Sequence, residues 1–270
     1  MTRVRLVAWH VFKESVRDRV LFAIGGFAIV LVVASVLIGQ ITAGQDVRII
    51  KNLGLAIVEL SGVLMAVFIG VGLVAREIER RSIYSLLAKP LHRWEFIVGK
   101  YFGLVGTLMV NVTFMSVALF LVLGWFQMTS PESVVKGWGV PAVDPALLKA
   151  LVLIAAELWL MTAVALLVST FSSSGVMSAV LTLGVWVVGL LSDDLRGFTA
   201  VTSAPAVVWL VQTIGAIVPA FSTFDIKAEI VNGRPPVAWG YVGLTIAYAV
   251  TYSAALVGAA VGVFSRREFT

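Results

Sequence analysis

The run "LLKALVLIAAELWLMTAVALLVSTF" holds one acidic side chain, Glu157, with apolar residues for several turns on either side. A carboxyl group at hydrocarbon depth is expensive, so it marks an inter-helix contact, an ion or proton pathway, or a polar cavity. Glu59, in a second apolar run, lies nearer a span end and is expected to reach interfacial water. Asn111 and Thr113 suit hydrogen bonds between helices. No Lys or Arg lies in another span to pair with Glu157, and Lys149, eight residues earlier on the same helix, is too far for direct contact. The densest charge in the chain lies elsewhere, in "AREIERRSIYSLLAKPLHRWEFIVGKYFG", residues 75–103.

Other chemistries find little support. No Gly-rich loop ending in Gly-Lys-Ser/Thr is present, so the chain lacks a nucleotide-hydrolysing phosphate loop. The two histidines, His10 and His92, are flanked by basic residues rather than carboxylates, which argues against a zinc site or a Ser-His-Asp arrangement. There is no cysteine for thiol chemistry or disulfides. A catalytic centre, a bound metal or cofactor, and a nucleic-acid partner are therefore not expected.

The elements that position these residues follow from composition. Of 270 residues 60% are apolar and 13% charged, and the mean hydropathy is +1.01, as in an integral membrane protein. Runs long enough to cross about 30 Å of hydrocarbon as helix fall near 20–40, 55–75, 99–126, 147–170, 176–192 and 238–264. None alternates as a barrel strand does. The expected fold is all-α and polytopic, a single transmembrane domain of six spans over residues 1–270.

Residues 1–19 place Val4, Val7, Ala8, Val11 and Phe12 on one face against Arg3, His10, Lys13, Glu14 and Arg17, the pattern of an interfacial helix with Trp9 as an anchor, although a simple positive-inside flank explains the charges equally well. An extracytoplasmic loop, 193–237, contains "PAVVWLVQTIGAIVPAF", residues 205–221, bounded by Pro205 and Pro219. It reads as an interfacial or re-entrant hairpin before the sixth span, with a seventh crossing as the alternative. Thirteen Lys and Arg fall on the side of both termini and the 76–98 loop against seven on the other, which makes that side cytoplasmic. Gly99 with Gly103, and Gly258 with Gly262, have the spacing for close helix approach.

Within the charged loop, Ile78, Ser82, Ser85 and Leu86 keep helical spacing, Glu77 and Arg81 form an i, i+4 pair, and Pro90 stops the helix. Acidic residues are surplus to a topology signal, and the mixture suits docking of another protein. The order "REIERRSIYSLLAKPLHRWEFIVGKYFG" resembles the signature of type-2 ATP-binding-cassette permeases: an acidic-basic run, a short helix ending in "L-x-x-P", an Arg-Trp-Glu-Phe-like element and a Gly-Lys pair before the third span. The resemblance covers nearly the whole chain, including "VPAFSTFDI" and the basic tail "FSRREF".

It implies the transmembrane permease subunit of an ATP-driven exporter in the plasma (inner) membrane. A second permease copy would complete the pathway, and two separate ATPase subunits would carry the ATP and Mg. On that analogy Glu77, Glu79, Arg80, Arg81, Leu86, Leu87 and Pro90 form the coupling helix that docks the ATPase. A membrane anchor or assembly factor that recruits a cytoplasmic partner without transport is the alternative. A secondary transporter would be expected to show broken helices and an internal repeat, and neither is evident.

Overall fold

The computed structural model describes residues 2–41, 46–79, 92–172, 174–201, 205–235 and 237–266. These form helices with short connections, and no strand occurs among the described residues. Two helices make the centre: α3 (Asp46–Glu79) and α6 (Ala146–Phe171). Of their most apolar stretches 72% and 78% are buried, against 28% and 22% for α4 (Arg93–Thr129) and α11 (Trp239–Arg266), which therefore wrap the outside. α1 (Thr2–Val16) packs on α4, and α2 (Arg19–Ile41) packs on α3 and α4. α7 (Gly175–Leu190) packs on α6 and α3, and α11 on α6 and α4.

Small residues decide where the central helices meet. Gly54, Gly62 and Gly70 recur every eight residues along one side of α3. A Cβ at Gly54 would overlap Leu119 of α4, one at Gly62 would overlap Leu158 of α6, and one at Gly70 would lie 3.1 Å from Ala165. In lipid, helix association rests on such close van der Waals packing, because the surrounding tails are as apolar as leucine. Gly99 and Gly103 do the same for α1. Their Cβ atoms would lie 2.7 Å from Val7 Cβ and from the Ala8 carbonyl oxygen respectively. Gly258 and Gly262 meet nothing within 4 Å. Their expected role in helix approach is corrected: they leave a bare strip on the outer face of α11.

The outward faces are apolar. Phe27 and Val33 of α2, Phe114, Leu121 and Trp125 of α4 and Leu244 of α11 are all more than half exposed. So large an exposed apolar surface fits immersion in lipid. Four helices are long and apolar enough to cross by themselves: α3 over Val47–Val71, α4, α6 and α11. The α1–α2 pair, bent by 58°, is a fifth candidate. α7, with 16 residues, falls short of the roughly 20 needed for a straight crossing. α3 begins nine residues before the expected span, so Arg48 and Lys51, assigned by sequence to a loop, lie in its first turns.

Both termini gather at one end of the bundle. Arg93 Nη1, at the start of α4, donates to the carbonyl oxygen of Ser265 at 2.8 Å, and α1 lies along the first half of α4. At the far end α5 (Glu132–Gly137), α8 (Ser192–Val201), α9 (Pro205–Ile217) and α10 (Lys227–Val231) form the cap. α8 and α9 pack on each other, and Trp209 and Ile217 of α9 are exposed. With 13 residues, α9 is too short to be a straight seventh crossing.

After α9 the chain turns inward at a 3₁₀ turn, Phe221–Phe224, whose two phenylalanines are buried. Phe221 fills the notch left by Gly189 of α7, where a Cβ would overlap its ring. Three tyrosines of α11 clamp this return. Tyr252 Oη donates to Ile217 O at 2.7 Å, Tyr241 Oη donates to Thr223 O at 2.7 Å, and Tyr248 Oη accepts from Ala220 N at 3.0 Å.

Candidate functional site

Glu157 is buried at the bundle centre, 2% exposed, and the indole of Trp186 on α7 donates from Nε1 to its Oε1 at 2.8 Å. The carboxyl group thus faces protein and not lipid. One donor leaves most of its accepting capacity unused.

The second acidic residue overturns an expectation. Glu59 is 6% exposed rather than facing interfacial water, because Lys227 of α10 reaches across its top and binds Oε2 directly. Asp225 Oδ2 lies 3.6 Å from the same ammonium, and Asp225 Oδ1 accepts the Lys227 backbone N–H at 3.0 Å. Burial alone would lower the Lys227 pKa. The Glu59 carboxylate beside it, with Asp225 and Glu157 adding to its field, outweighs that cost and holds it above the ordinary lysine value. Glu157 lies within electrostatic reach of Glu59, Lys227 and Asp225, so four ionisable groups from α3, α6 and the far-end return form one cluster.

Two further contacts fasten the same end. Lys51 is fully buried, 3.8 Å from Asp144, with no hydrogen-bond acceptor at Nζ. Asp144 Oδ1 in turn accepts from the backbone N of Ala146 at 2.8 Å, a local turn that leads into α6. Lys149 Nζ donates to Val237 O at 2.7 Å and lies 5.0 Å from the Trp239 ring centroid. Asn111 and Thr113 depart from expectation. Both hydrogen bonds run within α4, from Asn111 Nδ2 to Thr107 O at 3.0 Å and from Thr113 Oγ1 to Met109 O at 2.7 Å. A side chain one turn from a free carbonyl lone pair takes that partner without waiting for a second helix.

The charged connection has one described edge on each side. Glu77 and Glu79 are in the last turn of α3, while Arg80, Arg81, Leu86, Leu87 and Pro90 lie outside the described residues. From His92 onward the motif has local structural work. His92 N donates to Glu95 Oε2 at 3.0 Å, which caps α4. Lys100 is buried with Nζ 4.5 Å from the Phe96 ring centroid. The Arg-Trp-Glu-Phe and Gly-Lys elements thus build the foot of α4 and the seat of α1.

Lys227, Asp225 and Trp186 were missed in the sequence. Lys227 lies 168 residues from its partner in a segment read as loop, and a tryptophan in an apolar run ordinarily reads as core or interface. Among the described residues no group of three or more His, Asp or Glu could hold a metal ion.

A family profile described as "ABC-2 family transporter protein" matches residues 5–267. No curated protein matches the chain significantly. A profile match over nearly the full length, on a helical chain whose outward faces are apolar, places this protein in the ABC-2 transporter family as a membrane protein.

Proposed function

We propose that the chain is the transmembrane permease subunit of an ATP-driven exporter. Two copies, or one copy and a close relative, enclose the substrate pathway in the plasma (inner) membrane. Separate ATPase subunits, one for each permease, hold the ATP and Mg. The observation that carries the reading is the family match over residues 5–267. Six crossings are completed by α2 and by α7 continuing into its connection, and both termini are cytoplasmic. The positive-inside excess supports that orientation, as does the contact between the start of α4 and the tail at Ser265.

The 76–98 connection docks the ATPase through Glu77, Glu79, Arg80, Arg81, Leu86, Leu87 and Pro90. It opens at the end of the bundle where both termini lie, the end a cytoplasmic ATPase would approach. The far-end return, 193–237, is the extracytoplasmic hairpin, with Glu59, Asn111 and Glu157 as the intramembrane polar positions beneath it or along the spans. Copurification of an ATPase whose hydrolysis depends on this chain tests the reading. An intact chain that retains no ATPase when the candidate subunits are coexpressed would leave the anchor reading in its place.

A further inference from the structure

α1 runs beside α4 in the same chain direction: Val4 and Val7 meet Gly99, Ala8 and Val11 meet Gly103, and Phe12 meets Gly106. Contact along the helix leaves a cleft of about 750 Å³ on one side of the pair. Its floor is Gly103 and Gly106, which contribute no side chains. Its walls are Leu6, Trp9 and Phe12 from α1 and Phe102 from α4. Trp9 and Phe12 stack with centroids 5.7 Å apart, and Leu6, Trp9 and Phe102 are each more than half exposed.

One charged residue lines this cleft, Arg5, and it has neither a hydrogen bond nor an ion pair among the described residues. It stands toward the end of the bundle that carries the termini, and the apolar walls continue from it toward the middle. A cation at the rim with an apolar trough running inward matches one ligand shape. We propose that this cleft binds an anionic phospholipid, with the phosphate on Arg5 and an acyl chain laid over Gly103 and Gly106 between Trp9 and Phe102. The basic rim, without an acidic group in the cleft, selects the anionic headgroup over a zwitterionic one. The trough rejects a free anion, because such a ligand would leave the aromatic walls uncovered.

The site goes beyond the transport reading and does not depend on it. Its test uses the purified, delipidated full chain in detergent, titrated with dioleoyl phosphatidylglycerol or dioleoyl phosphatidylcholine and read by native mass spectrometry. The wild-type chain should prefer the anionic lipid. Arg5→Gln should lose about fivefold of that preference, the weight of one basic group against an anionic surface, and Arg5→Lys should keep most of it. Lys13→Gln removes the same charge from the exposed face of α1, outside the cleft, and should leave the preference intact. Phe102→Ala should weaken both lipids alike.

Equal losses from Lys13→Gln and Arg5→Gln would reduce the effect to diffuse surface charge and overturn the site, as would unchanged affinity in Phe102→Ala. Displacement of the lipid by excess inorganic phosphate would overturn it in favour of a free-anion site. The chain has no cysteine, so Leu6→Cys offers one thiol per copy. Efficient disulfide cross-linking of two copies through it would assign the cleft to a dimer seam instead.

Discussion

At the far end of the bundle Lys51 and Glu59 are buried and matched to Asp144 and to the half-buried Lys227, whereas at the end that carries the termini Arg5, Lys13, Arg17 and Arg266 stand exposed. The first arrangement locks charge into the fold. The second leaves charge at the surface, where exposed pairs add only about 0–1 kcal/mol to stability. Mutating these enclosed far-end charges should therefore break the protein, and mutating charges in the terminal-end connection should break its associations.

The largest effect belongs to Lys227→Ala. It strands the Glu59 carboxylate, and removal of one partner of a buried pair costs about 3–5 kcal/mol. Thermal unfolding in detergent should show a large drop in Tm. Glu59→Gln combined with Lys227→Met should recover most of it, since the double change removes both charges. Because the Lys227 pKa is raised in the folded chain, its contribution is complete below the unfolded lysine value near 10.4 and fades only as pH climbs through the raised value. The Tm gap between Lys227→Ala and wild type should accordingly be the same at pH 7 and pH 9. A gap that closes by pH 9 would mean the ammonium is not held by Glu59.

At the other end, the combined change Glu77→Ala, Glu79→Ala, Arg81→Ala should leave the stability within about 1 kcal/mol of wild type. Its cost should appear at the ATPase, because truncating a charge desolvated in an interface costs on the order of 2–5 kcal/mol of binding. The variant should insert normally but fail to retain the ATPase on a column. Leu86→Asp should act in the same direction. Normal copurification of the triple variant would reduce the connection's charges to a topology signal.

Between these extremes lies the glycine seat of α1. Gly103→Leu forces a side chain against the Ala8 carbonyl oxygen and Val11, and overpacking of this kind costs about 1–3 kcal/mol. Gly258→Leu, on the bare strip of α11, should be neutral in the isolated chain. A loss of assembly without a loss of Tm in Gly258→Leu would place a second chain on that strip.

The contrast between the ends also explains what the sequence could reveal. Helix class and the middle of each long span were legible, because uninterrupted apolar runs dominate there. The foot of α4 was legible only as part of a family-like motif, and the role of Glu95, read there as one of the acidic residues suited to docking, is instead a local cap three residues from His92. The far-end cluster was hidden, because Glu59 meets Lys227 across 168 residues and nothing local to either marks the other. Asn111 misled for the opposite reason: a hydrogen-bonding side chain in an apolar run suggests a distant partner, but the Thr107 carbonyl one turn away was nearer. The α3 stripe of Gly54, Gly62 and Gly70 was obscured by its eight-residue period among 24 glycines.

The smallest expected effect is the one that separates a structural from a functional Glu157. Trp186→Phe removes the indole N–H from Glu157 Oε1, and a side-chain hydrogen bond inside a membrane bundle averages only about 0.6 kcal/mol. The Tm should fall slightly. Glu157→Gln keeps a carbonyl oxygen for the same indole, so it should leave Tm nearly unchanged while removing the ability to carry a negative charge beside Glu59 and Lys227. If the charge serves only packing, Glu157→Gln should also preserve ATPase activity in the assembled complex. If it serves the transport cycle, Glu157→Gln should lower substrate-stimulated ATPase activity while Trp186→Phe, which keeps the carboxyl group, lowers it less. Equal loss of activity in both variants, in step with equal loss of Tm, would assign Glu157 to stability alone.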